Sequence, residues 1–283
     1  MNPDSPREKS VLCLDPHGFH RIHYVEWGAP DNPRVLFCVH GLTRNARDFD
    51  FLASKLSDAY RIVCPDVAGR GLSGWLADKG DYGYPVYLGD IATLAAKVGA
   101  EEIDWVGTSM GGLIGMILAS LRGTPIRKLV MNDVGARIPK AALERIALYV
   151  GLDPTFNSLE ALEGAMRTVS PFGDLTAAQW RHLAVHAARR EDDGRWRFRY
   201  DPGIAQTFKA KPLDEVDMSA FWNAVRGPAL ILRGEHSDLL LPGTLEEMRR
   251  RPGTETHIVP GTGHSPMLMD DATAAVIRRF LLG

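Results

Sequence analysis

The chain has 283 residues, enough for one large α/β domain or two small ones. Hydrophobic residues make up 45% and charged residues 24%, as in an ordinary soluble globular protein, and the formal net charge is −2 with no long run of one sign. Neither nucleic acid nor an acidic membrane surface is therefore an implied partner. Met1 to Lys9 is polar, and no apolar run is long enough to span a bilayer. The expectation is a cytoplasmic protein without a signal peptide. The three cysteines, Cys13, Cys38 and Cys64, are read as buried reduced thiols rather than a disulfide or metal site.

Val11 to Leu14 and Ile22 to Trp27 alternate as strands, with Pro16-His17-Gly18 between them. Val35 to Val39 is a continuous apolar run, the mark of a strand buried on both faces of a parallel sheet. Ala46 to Leu56 has helical spacing, and Arg61 to Cys64 is a second short buried strand. A polar, glycine-rich loop runs to Tyr84, and Pro85 opens a helix through Val98. Ile103 to Val106 and Arg127 to Asn132 are further strands, with a helical pattern between them. This repetition predicts a mostly parallel sheet with right-handed crossovers.

From Gly135 to about Arg226 the rhythm breaks. Ala141 to Val150, Leu159 to Val169 and Ala177 to Ala188 have helical patterns, and no convincing buried strand lies among them. Arg181, Arg189, Arg190, Arg195 and Arg197 crowd here with Trp180, Trp196, Phe198 and Trp222. The stretch is read as a helical cap inserted into a core formed by residues 1–134 and 227–283. Ala229 to Leu232 and Glu255 to Val259 resume the strands; Leu245 to Arg250 and Asp270 to Leu282 are the closing helices.

The most informative stretch is Gly107-Thr108-Ser109-Met110-Gly111, a Gly-x-Ser-x-Gly pattern between an apolar strand and an apolar helix. A nucleophile elbow needs that spacing because the serine takes strained backbone angles at a turn too tight for neighbouring side chains. The helix opening at Met110 would aim free N–H groups where an oxyanion forms. A serine hydroxyl needs a base, and the base needs an acid to fix its tautomer. His264, after the last strand, supplies the base. Asp238, after the strand ending at Leu232, supplies the acid, with Asp133 and Glu235 as alternatives.

The order Ser109, Asp238, His264, with His40-Gly41 after the third strand, resembles the α/β-hydrolases of the lipase, esterase and ring-cleavage kind. The similarity covers nearly the whole chain. It implies an α/β-hydrolase fold with an inserted cap and an oxyanion hole made by the backbone N–H groups of Leu42 and Met110. It also implies that Asp66-x-x-Gly69-x-Gly71-x-Ser73 is a structural loop. Gly69 to Gly74 also matches a dinucleotide fingerprint, but Trp75 to Gly83 reads as loop where that motif needs a helix. His182 and His186 share a helix face, without an acidic or cysteine partner nearby in sequence, and are read as a packed or solvated pair rather than a metal site.

The expected function is a serine hydrolase of small-molecule carboxylic esters, with no metal or organic cofactor implied. Carbon–carbon bond hydrolysis of a ring-cleavage product stays open, because cap arginines could bind a carboxylate. So do a cofactor-free perhydrolase and a non-catalytic ligand receptor of the same fold.

Overall fold

The structure, a computed structural model, describes residues 5–209 and 212–283; the first residues of the expected core and residues 210–211 of the expected insert lie outside them. The strands are β1 (Arg7–Asp15), β2 (Gly18–Trp27), β3 (Val35–Val39), β4 (Arg61–Pro65), β5 (Ile103–Thr108), β6 (Ile126–Asn132), β7 (Arg137–Ile138), β8 (Ala188–Arg190), β9 (Trp196–Phe198), β10 (Val216–Asp217), β11 (Ala229–Gly234) and β12 (Thr254–Val259). The helices are α1 (Asp50–Leu56), α2 (Tyr84–Val98), α3 (Met110–Ser120), α4 (Lys140–Tyr149), α5 (Leu159–Val169), α6 (Ala177–Ala187), α7 (Gln206–Lys209), α8 (Ser219–Ala224), α9 (Pro242–Arg249) and α10 (Asp271–Leu282).

Eight strands form one sheet in the order β1-β2-β4-β3-β5-β6-β11-β12. β1, β2 and β4 pair antiparallel, and every pairing from β4 to β12 is parallel. This is the α/β-hydrolase arrangement expected above. The apolar run of β3 is buried at all five positions because each face meets a different layer. Phe37 and Val39 enter a cluster with Trp105 and residues of α2 and α3, while Leu36 and Cys38 enter one with residues of α1 and α10. Cys13, Cys38 and Cys64 are free and buried. Among the described residues no helix is long and apolar enough to cross a membrane.

The helix ends follow their residues. Pro85 sits in the first turn of α2, and Gly99 ends that helix at φ 72°. The Asp270 carboxylate accepts the Thr273 N–H at 2.7 Å to start α10. The run Ala46 to Leu56, expected as one helix, is a 3-10 turn at Ala46–Phe49 followed by α1.

Between β6 and β11 lie α4 to α8 and two small ladders, β7 with β10 and β8 with β9. These strands are two or three residues long, too short to leave a periodicity in the sequence. Residues of α5 and α6, with Phe172, bury their apolar faces against Met267 and Met269, which follow His264. Trp222 behaves differently. It lies in the main core, on the side of α3, with the Arg251 guanidinium 4.7 Å from its ring. It does not share the aromatic cluster of Trp180.

Candidate active site

Ser109 stands at the turn from β5 into α3 with φ 51° and ψ −115°, a conformation that L-residues adopt only under strain. The flanking glycines are a steric requirement. A Cβ on Gly107 would lie 2.2 Å from the Gly111 carbonyl oxygen, and one on Gly111 would lie 2.0 Å from that of Val39. The Ser109 N–H donates to the Asn132 carbonyl at 2.9 Å, which fixes the turn against the end of β6. The Asn132 side chain donates to Thr108 Oγ1 at 3.0 Å and to the Pro266 carbonyl at 2.8 Å. This buried amide, unmarked by any sequence motif, joins the serine turn to the loop of His264.

The imidazole of His264 lies between two partners. Its Nε2 is 3.0 Å from Ser109 Oγ and its Nδ1 is 2.8 Å from Asp133 Oδ2. A carboxylate accepts, so Nδ1 carries the ring proton and the Nε2 lone pair faces the serine hydroxyl. Asp133 is fully buried. Its N–H donates to the Leu232 carbonyl at 2.8 Å, and its Oδ1 accepts the Gly234 N–H at 2.9 Å. The residue sits at φ 55°, a conformation in which aspartate is among the better tolerated side chains.

The expectation that Asp238 orients His264 is therefore corrected. Asp238 is half exposed and forms a bidentate pair with Arg145 of α4, at 2.5 and 2.9 Å. Glu235, the other alternative, is exposed and accepts the Gly261 N–H at 2.8 Å. The physical reason lies in the sheet. β6 and β11 are neighbours, and the Asp133 carboxylate at the end of β6 reaches across the end of β11, where it accepts the Gly234 N–H, to the loop that bears His264. The loop after β11 turns toward α4 instead.

His40 is buried completely, and its surroundings set its tautomer. The Val67 N–H donates to Nε2 at 2.9 Å, so Nδ1 must be the donor to the Gly41 carbonyl at 2.7 Å. Burial depresses its pKa. With both ring nitrogens hydrogen-bonded, His40 braces the turn at residues 40–42. A Cβ on Gly41 would lie 3.7 Å from that of Ser109, so this turn runs beside the nucleophile position. Met110 begins α3, and its N–H is one of the donors a helix leaves unmatched at its start.

Arg70 was not singled out by the motif containing it. It is fully buried, and among the described residues no carboxylate pairs with it. Its Nε donates to the Leu42 carbonyl at 2.8 Å and its Nη1 to the Ala68 carbonyl at 2.7 Å and Tyr87 Oη at 2.8 Å. Nη2 lies 3.8 Å from Met110 Sδ, and the rings of Tyr82 and Tyr87 flank the guanidinium. Arg70 thus touches both residues whose N–H groups the resemblance places in the oxyanion hole. The same loop carries Asp66, whose carboxylate accepts the N–H groups of Ala46 and Leu72 at 2.7 and 2.9 Å. No helix opens at Gly74, so the glycines serve a turn and not a pyrophosphate site.

The insert meets the His264 loop directly. The Gly263 N–H donates to the Pro171 carbonyl at 2.8 Å, and Phe172 stacks on Trp180 with centroids 5.7 Å apart. The arginines proposed from sequence as a carboxylate clamp are engaged elsewhere. Arg181 pairs with Glu160 at 2.8 Å, Arg189 pairs with Glu191, and Arg190 lies over the Trp196 ring.

Comparison with known proteins identifies the family. Residues 35–278 match the alpha/beta hydrolase family. The chain is similar to a 3-hydroxybutyrate-oligomer hydrolase of Cupriavidus necator, 46% identical over 99% of both chains. It is 30% identical to an N-formylmaleamate deformylase of Pseudomonas putida over 86% of each. An alpha/beta hydrolase of Novosphingobium aromaticivorans superposes with a TM-score of 0.87 at 36% identity, over 98% of both chains.

Proposed function

The chain belongs to the alpha/beta hydrolase family and is a hydrolase, and on that premise we propose that it cleaves carboxylic esters through an acyl-enzyme on Ser109, with short 3-hydroxybutyrate oligomers as its substrate class. The observation that carries the reaction type is the hydrogen-bonded series Ser109, His264, Asp133. Ser109 Oγ attacks the ester carbonyl as its proton passes to His264 Nε2. Asp133 holds the ring in the reactive tautomer and stabilises the imidazolium. The tetrahedral oxyanion is held by the N–H groups of Leu42 and Met110. His264 then protonates the departing alkoxide, and water repeats the sequence on the acyl-enzyme, releasing the acid and restoring Ser109.

The similarity to the Cupriavidus necator hydrolase supports the choice of substrate. Residues 135–226 act in this reading as a cap that selects the substrate and supplies no proton-transfer group. The aromatic cluster of Phe172 and Trp180 beside the His264 loop is its means of doing so.

The test is turnover of purified protein on the 3-hydroxybutyrate dimer, beside simple esters and N-acyl amides of dicarboxylic acids. Ester turnover that Ser109→Ala abolishes is expected, with the dimer ahead of simple acetates. Cleavage of the acidic amides with none of the esters would replace this reading by an amide hydrolase.

A further inference from the structure

Two histidines of the insert meet a buried carboxylate of the core. His182 and His186 sit one turn apart on α6, and Asp50 opens α1. One ligand atom from each of the three lies within 4.8 Å of the others, and His182 Nε2 is already 3.5 Å from Asp50 Oδ2. We propose that Asp50, His182 and His186 bind a divalent transition-metal ion of the zinc type, which fastens α6 of the insert to α1 of the core.

The Asp50 side chain carries the argument. The residue is only 8% exposed. Its Oδ2 takes the Arg47 guanidinium, at 2.7 Å from Nε and 2.6 Å from Nη2, while Oδ1 is buried with no hydrogen-bond partner. An unmatched buried carboxylate oxygen is costly, and a bound cation removes that cost.

The His182 Nε2 that faces Asp50 also lies 3.0 Å from the Arg47 carbonyl, a contact that the ion would replace. The surroundings are ordered as an outer shell. Arg47 orients Asp50, and Asn45 Nδ2 donates to the His186 carbonyl at 3.3 Å. A tetrahedral ion with bonds of about 2.0–2.2 Å draws its ligands to about 3.4 Å apart, a closure within reach of side-chain rotation. Two imidazoles and one carboxylate suit zinc and its neighbours rather than calcium or magnesium. His182 is 28% exposed, and a cleft of about 110 Å³ lined by Asn45, Arg47, His186 and Arg199 gives entry and room for a water as fourth ligand. None of the three ligands belongs to the Ser109 centre. The helix they fix also carries Trp180, so the ion would steady the aromatic cluster beside His264.

The test uses metal-free full-length protein and zinc alone, with binding read by calorimetry and by the shift of the thermal unfolding midpoint. Wild type should bind about one equivalent and unfold at a higher temperature. His182→Gln and His186→Gln should each weaken binding about tenfold or more. His17→Gln should not, although Asp15, His17 and Asp81 form another group of possible ligands. Zinc should also protect His182 and His186 of the wild-type chain from carbethoxylation, a measurement that needs no variant to fold. No saturable binding overturns the proposal. So does binding that survives both α6 variants, binding lost only in His17→Gln or His264→Gln, or zinc that leaves both α6 histidines reactive.

Discussion

β6 and β11 are neighbours and leave the sheet at the same edge, and each is followed by an aspartate. The two carboxylates could hardly be placed more differently. Asp133 follows its strand immediately, adopts a left-handed backbone and is sealed among the Gly234 N–H, the Leu232 carbonyl and His264. Asp238 lies four residues beyond its strand, faces water and holds one exposed arginine. A buried carboxylate is costly unless its oxygens find partners, and the partners of Asp133 hold it in one orientation. An exposed ion pair gains little and fixes little. Position in the chain made the two candidates alike; burial and matched partners separate them.

The largest expected effect sets the scale for that difference. Ser109→Ala should lower kcat by about 10⁴-fold or more while the far-ultraviolet spectrum stays native. A folded variant with near wild-type turnover would remove the role given to Asp133 along with that of the serine.

Arg70 asks whether buried, fully matched charge marks function beyond Asp133. Arg70→Met removes the donor to the Leu42 carbonyl and should lower kcat by about 10–100-fold with a smaller change in KM. Arg70→Lys should recover part of the loss. Arg70 is here a positioning residue, so an equal fall in stability without a fall in kcat would assign it to folding alone.

The insert offers a titration to set beside this pair. His186 is shifted down from an ordinary 6.5 to about 4, first by burial and then by nearby positive charge. Between these values the unfolded chain binds a proton there that the folded chain does not, so the folded state loses stability as pH falls. Buried His40, whose pKa is also lowered, adds in the same direction. In metal-free protein His186→Gln should flatten the decline of the unfolding midpoint from pH 6.5 to 4. An unchanged slope would contradict the neutral state assigned to His186. The smallest effect belongs to the exposed pair: Asp238→Asn should change stability by about 1 kcal/mol or less, with the difference shrinking in high salt.

Local features were legible in the sequence. The buried runs of β3, β5 and β11 and the glycines about Ser109 each record a constraint within a few residues. What sequence could not supply was juxtaposition. Asp133 gains its partners from the ends of β11 and β12, a hundred or more positions away. Arg70 draws on Leu42, Tyr87 and Met110, and the α6 histidines find their acid in α1. The three-residue strands β8 and β9 were illegible for the opposite reason, being too short to show a period.

The most direct test of the account is kcat/KM for Asp133→Asn and Asp238→Asn, measured side by side on one ester. Asp133→Asn should fall by about 10³–10⁴-fold, because the imidazole loses the acceptor that fixes its tautomer. Asp238→Asn should stay within about fivefold of wild type, the rate equivalent of a surface ion pair. A crippled Asp238→Asn beside a near wild-type Asp133→Asn would contradict the assignment of the acid.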